Sequence, residues 1–246
     1  PLDFYAITDH AAFLGALKEG ADPTSALGQL ELNEPLHNLN VPDNVNDASL
    51  GIRGETFANY LRAAVGGLMT GNLNPELLNN AAKAARLDIV QAAERHNVPN
   101  EFTTFVAYEY TTTSYDQGNL HRNVIFRNEH VTESPVSTYD TGRGNFNLLW
   151  QQLRDKCVDA DTGCDVMTIP HNPNLAGGLM FRDPLNQREL DDRLFFEPVV
   201  ELTQHKGASE CRFDRVAGIG LDTTDELCTF EQVVADNLTM LGSVHG

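Results

Sequence analysis

The sequence predicts one α/β domain spanning 1–246, built on a barrel-like or open sheet. Three observations predict it. Short apolar runs alternate with longer stretches of helical spacing. The runs have strand length and the near-continuous apolar character of strands covered on both faces. A chain of 246 residues that is 41% hydrophobic can bury one sizeable core, and no repeat, charge block or low-complexity segment interrupts it.

Residues 3–8 (DFYAIT) read as a buried strand ending in Thr8-Asp9-His10. Residues 20–54 are polar, with scattered Pro, Asn and Gly, a length of loop that is usually functional or mobile. ETFANYLRAAVGGLM (55–69) and PELLNNAAKAARLDIVQAAERH (75–96) carry helical apolar spacing. Pro75 suits a first helical turn, with Asn74 as its cap. TTFVAYEYTT (103–112) is aromatic and β-branched, a strand. LHRNVIFRN (120–128) reads as the next, after a turn at Gly118. FNLLWQQLRDKC (146–157) is an amphipathic helix, DVMTIPH (165–171) a short strand, QRELDDRLFF (187–196) a helix and PVVELTQ (198–204) a strand. CTFEQVVADNL (228–238) closes the series as a helix.

The charge excludes some functions. Seventeen basic residues face 35 acidic ones, a net −18. That field repels a nucleic-acid backbone and disfavours anionic membranes. A phosphate-bearing substrate would need a local cation, either a metal or a clustered Arg. No stretch approaches the roughly 18 to 20 apolar residues of a membrane span. The chain has no initiator Met and no signal peptide, so a fragment is expected. Cytoplasmic and exported locations both stay open. The cysteines form two close pairs, Cys157/Cys164 and Cys211/Cys228, without a Cys-x-x-Cys. A thiolate zinc site is therefore not expected, while disulfides and buried thiols both remain readings.

Polar groups recur at strand ends. Asp9 and His10 end the first strand, Glu109 interrupts FVAYEY, His121 begins HRNVIF, and His171 ends VMTIP. Imidazoles and a carboxylate gathered at one sheet end suit zinc, manganese or iron. Each also has a plain reading: a lone His beside a strand is commonly a satisfied polar group, Glu109 can face solvent, and Asp9 can cap a helix. His37, His96, His130 and His245 sit in weaker contexts, and His205 is intermediate.

DFYAITDH, FVAYEYTTT, NLHRNVIFRN, TIPHNPNLAGGLMF, VELTQHKGASEC and TDELCTFEQ stand in an order that resembles a bacterial domain-of-unknown-function family, number 3604. That family is related to the PHP (polymerase and histidinol phosphatase) superfamily. The resemblance implies a distorted TIM-like (β/α)7 barrel with two or three divalent metal ions at its C-terminal face, and hydrolysis of phosphoesters. It implies His10, His121 and His171 as ligands and Glu109 as a bridging ligand. Asp9 would orient a ligand or join Glu109 as a catalytic group. The family's leading His-x-His and closing Asp-x-His motifs do not occur here, and they are expected outside this stretch.

Beside these stand candidate contacts to a small-molecule substrate. Arg122 offers a forked contact to phosphate or carboxylate, or else pairs with an acidic neighbour. Asn172 and Asn174 flank Pro173, and either bond substrate or shape the turn. Glu201 is an outer-sphere or substrate group, and His205 with Lys206 complete the set. Three functions are expected in order: a metal-dependent phosphoesterase, a metal-dependent hydrolase of another ester or amide, and a metal-free binding barrel.

Overall fold

The computed structural model describes residues 2–37, 50–114, 118–176, 179–204 and 207–208. Four strands form one sheet: β1 (Phe4–Ala6), β2 (Thr103–Tyr110), β3 (His121–Phe126) and β4 (Val166–His171), in the order β1-β2-β3-β4. A two-residue pair, β5 (Thr203–Gln204) with β6 (Gly207–Ala208), stands apart. The mixed α/β class is as expected, and the short strands start and stop within two residues of their sequence-based bounds. PVVELTQ is the exception, since only Thr203–Gln204 of it is strand.

Two expectations need correction. The sheet is open among the described residues, not a closed barrel. Its pairing is also mostly antiparallel: β1 and β2 run parallel, but β3 opposes both β2 and β4. The physical reason is the connections. A parallel crossover needs a dozen or more residues, and the link from β2 to β3 (111–120) is shorter. The longer link from β3 to β4 does carry a helix, which reads in sequence as a crossover, yet it returns to the sheet end where β3 stopped. Strand and helix alternation does not by itself fix direction.

The sheet has two different faces because side chains alternate along a strand. Val106, Tyr108, Tyr110, Arg122, Val124, Phe126, Val166 and Thr168 point one way and are buried. The helices Phe146–Leu153 and Gln187–Phe196 cover that face with Phe146, Leu149, Trp150, Leu153 and Phe196, all essentially inaccessible. The Trp150 indole N–H donates to Thr168 Oγ1 at 3.2 Å, so the largest core residue keeps its polar atom satisfied. Arg154 pairs with buried Asp192 and ties the two helices together. Asn186 caps the second helix, its Oδ1 accepting from Glu189 N–H at 3.0 Å. The opposite face carries Phe105, Ala107 and Glu109, then Ile125 and His121, then Met167, Ile169 and His171. Phe4, Phe105, Ile125, Met167, Ile169 and Val199 line an open apolar cavity of about 660 Å³ on it.

Cys157 and Cys164 form a disulfide, with Cα atoms 5.0 Å apart. It joins the π-turn Arg154–Val158 that ends the first covering helix to the start of β4. Cys211, Cys228 and the helix expected over 228–238 lie outside the described residues.

The chain divides into two compact units. The sheet unit includes the described residues up to Ala12, Ala92–Thr132 and those from Val136 on. The second comprises Phe13–Gln91 and Glu133–Pro135. Its helices are Ala16–Ala21, Leu50–Thr70 and most of Pro75–His96, with a 3-10 segment at Glu31–Leu36. Ala16, Leu27, Leu36, Tyr60, Ala64, Leu73, Leu78 and Ala81 form its core. Pro75 does open its helix, and Asn74 Oδ1 accepts from Glu76 N–H at 2.9 Å. Gly15 sits at φ +73°, and a Cβ there would lie 2.5 Å from the Ala81 carbonyl, so only glycine allows this close approach. The 3-10 segment lies within the polar stretch 20–54 and the six-residue helix at its edge, both too brief for apolar spacing to register.

Removing the disulfide tests its share of stability. Cys157→Ser with Cys164→Ser is expected to lower the unfolding free energy by ~2–3 kcal/mol, read by urea denaturation.

Candidate metal centre

The strand directions place four chain positions at one end of the sheet: His10 (four residues past β1), the end of β2, the start of β3 and the end of β4. His10 bridges to Glu109 as a parallel pair, and His121 lies directly opposite His171 in the β3–β4 ladder. Glu109 pairs with Asn123, two residues from His121, so Glu109 and His121 share one face. Backbone bonds fix the first contact. Glu109 N–H donates to the Asp9 carbonyl at 2.8 Å, and Ala11 N–H donates to the Glu109 carbonyl at 2.8 Å.

The side chains converge as the backbone dictates. Ligand atoms of His10, Glu109 and His121 all lie within 4.8 Å of one another. Glu109 Oε1 is 2.6 Å from His121 Nδ1 and 3.3 Å from His10 Nδ1. Its other oxygen, Oε2, is 3.8 Å from His171 Nε2. One carboxylate therefore turns its two oxygens toward two sets of imidazoles. Glu109, His121 and His171 are largely buried, while the His10 side chain is 58% exposed and forms the open side.

The cluster fits a divalent cation on an observation independent of distance. Neither ring nitrogen of His121 has a hydrogen-bond partner among the described residues, although both are buried. Glu109 Oε1 approaches Nδ1 to 2.6 Å as an ion-pair contact, which leaves Nε2 as the nitrogen with nothing beside it to bond among the described residues. Buried polar atoms are normally satisfied, and leaving one unpaired costs about 1–3 kcal/mol. A ligand shared by both groups would satisfy His121 where the protein does not.

Protonation is also what ligation needs. Burial works against a charged Glu109, but the adjacent His10 and His121 rings outweigh it and hold the carboxyl well below the usual range. Burial pushes His121 down, only partly offset by Glu109. An ionised carboxylate and a neutral imidazole are the metal-binding forms.

This chain matches the family model described as "Protein of unknown function (DUF3604)" over residues 1–243. The chain belongs to the DUF3604 family. No match was found among curated proteins or among solved structures. Of the residues that the resemblance implies as ligands in this DUF3604 member, His10, Glu109 and His121 form the close group, and His171 approaches it through Glu109 Oε2.

The other candidates are placed differently. Asp9 is exposed, and what reaches Glu109 is its backbone carbonyl. Arg122 is fully buried on the helix-covered face, away from the cluster. Its Nε donates to Glu197 Oε1 at 2.9 Å, its NH1 donates to the Leu120 carbonyl at 2.7 Å, and its guanidinium stacks 3.9 Å above the Phe146 ring. Burial pulls Arg122 down and Glu197 up, each partly offset by the other. Asn172 is buried in the left-handed conformation at φ 62°, opening the Pro173–Leu175 turn. Glu201 Oε2 contacts His171 Nδ1 at 2.7 Å. The Asn174 side chain, His205 and Lys206 lie outside the described residues. His37 Nε2 contacts the Gly28 carbonyl at 2.9 Å, His96 ends its helix, and His130 lies 3.9 Å from Glu129. His245 lies outside the described residues.

One group escaped the sequence reading. Thr111 Oγ1 lies 2.5 Å from His10 Nδ1 and 3.4 Å from Glu109 Oε1. The signal was available as period two: Ala107, Glu109 and Thr111 fall on one side of an extended run.

The placement of Arg122 gives a direct test. Arg122→Ala strands a buried Glu197 carboxylate and is expected to cost about 3–5 kcal/mol in denaturant unfolding. Arg122→Met combined with Glu197→Leu is expected to recover most of that loss.

Proposed function

We propose that this protein is a metal-dependent hydrolase whose first substrate class is phosphoesters, and that its cations sit among His10, Glu109, His121 and His171. The observation that carries the reading is buried His121, with Glu109 2.6 Å from its Nδ1 and no hydrogen-bond partner at Nε2 among the described residues. The relation of DUF3604 to the PHP superfamily, inferred from the motif order above, is part of the proposal.

A divalent cation held there supplies Lewis acidity: it acidifies a coordinated water and neutralises charge on the oxygens of the group being cleaved. The chain's own groups do the rest. Glu109 offers an oxygen to each side of the cluster, consistent with more than one ion. Thr111 restrains His10 through its hydroxyl. Exposed His10 leaves an approach for substrate.

The global charge sharpens the proposal. A net −18 opposes a phosphate, and the Arg122 guanidinium is committed to Glu197. With Arg122 committed, we expect the metal to carry much of the charge compensation, so chelation is expected to weaken substrate binding as well as turnover.

The experiment compares chelated and zinc- or manganese-reloaded protein against phosphomonoesters, phosphodiesters, sulfate esters and amides. Phosphoester turnover restored by metal, and reduced at least about 100-fold in Glu109→Gln, is the expected result. Metal-dependent turnover confined to sulfate esters or amides would move the assignment to the second hydrolase class. Reloaded protein that holds metal and hydrolyses none of the four classes would refute the hydrolase reading.

A further inference from the structure

We propose that Glu201 is a positioning residue that fixes the ring of His171 and presents its Nε2 to Glu109. The inference rests on the metal-site reading for its purpose, but not for its geometry. Glu201 Oε2 lies 2.7 Å from His171 Nδ1 and also accepts the Asn172 backbone N–H at 3.0 Å. A carboxylate oxygen can only accept, so Nδ1 carries a proton, and in the neutral ring Nε2 is then the bare lone pair. That bare nitrogen is the one facing Glu109 Oε2, at 3.8 Å.

The second bond makes the hold more than a pairwise contact. Asn172 follows the last residue of β4 and takes the left-handed conformation, φ 62° and ψ 46°, which is costly for a residue with a side chain. By binding Asn172 N–H and His171 Nδ1 with one oxygen, Glu201 holds both the ring and the turn that carries it. Its own backbone N–H donates to the Pro170 carbonyl at 3.3 Å, so Glu201 is itself anchored to β4. The side chain of Glu201 is largely buried, at 19% exposure. Both bonds of its inner oxygen are spent on the protein, which favours a positioning role over a substrate contact. Carboxylates behind ligating imidazoles set tautomer and orientation, and removing one typically weakens metal binding 10–100-fold.

The primary test is the tautomer of His171 in metal-free protein, read from ring ¹⁵N shifts by two-dimensional NMR. The wild type is expected to hold the Nδ1–H form, and Glu201→Ala to raise the Nε2–H form. Glu201→Gln, whose amide carbonyl can still accept, is expected to keep Nδ1–H and also serves if the alanine variant does not fold. A wild type in the Nε2–H form overturns the proposal, as does a Glu201→Ala protein with an unchanged tautomer. The second readout is zinc affinity by calorimetry, expected to fall about 10–100-fold in Glu201→Ala and less in Glu201→Gln. If the wild type binds no zinc, the metal-site reading fails while the tautomer still decides the role of Glu201. If it binds zinc and Glu201→Ala binds equally tightly, the positioning role fails while the metal site stands.

Discussion

The arrangement depends first on register. Side chains alternate faces along a strand, so one residue of slip would carry each of Glu109, His121 and His171 from the open face into the helix-covered core. Such a slip is opposed by the other face. Trp150, Phe146, Leu149 and Phe196 pack against Val124, Phe126, Tyr108 and Thr168, and these cannot exchange places with a carboxylate and two imidazoles without burying unpaired polar groups. The hydrophobic core on one side thus holds the polar cluster on the other. The buried Arg122–Glu197 pair belongs to the same argument, because Arg122 shares the core face with Val124 and Phe126 and needs its partner there.

The acidic balance and the cluster are connected physically. Buried Glu197 and Asp192 pair with Arg122 and Arg154, whereas the ion-pair partners of Glu109 among the described residues are imidazoles. Glu109 instead keeps its charge through neighbouring rings. His121 Nε2 in turn has no hydrogen-bond partner among the described residues. A network left with an unsatisfied member is unfavourable unless something else completes it. A divalent cation would complete it and would reduce the local negative charge in one step.

Much of this was legible in the sequence, for identifiable reasons. The helices Pro75–His96 and Gln187–Phe196 announce themselves through spacing, and the former also through Asn74 and Pro75. The strands β2, β3 and β4 show aromatic and β-branched runs that carry Glu109, His121 and His171 among their polar residues. Direction was not legible, because strand and helix alternation suggested parallel crossovers while connection length and packing produced antiparallel pairs. Nor could adjacency to His121 say where Arg122 points, since neighbours on a strand face opposite ways. Thr111 was missed because a hydroxyl in TTT carries no distinguishing chemistry until His10 is placed beside it. The Cys157–Cys164 disulfide follows close spacing that allowed pairing without requiring it.

The central claim is that His10, Glu109 and His121 are a cation's ligands rather than a self-contained polar cluster. Anomalous diffraction from crystals grown with zinc tests it most directly. The account predicts a zinc peak bonded at about 2.0–2.2 Å to a His121 ring nitrogen and a Glu109 oxygen. A zinc-exposed crystal with no peak there, and with His121 hydrogen-bonded to Glu109 instead, would contradict it.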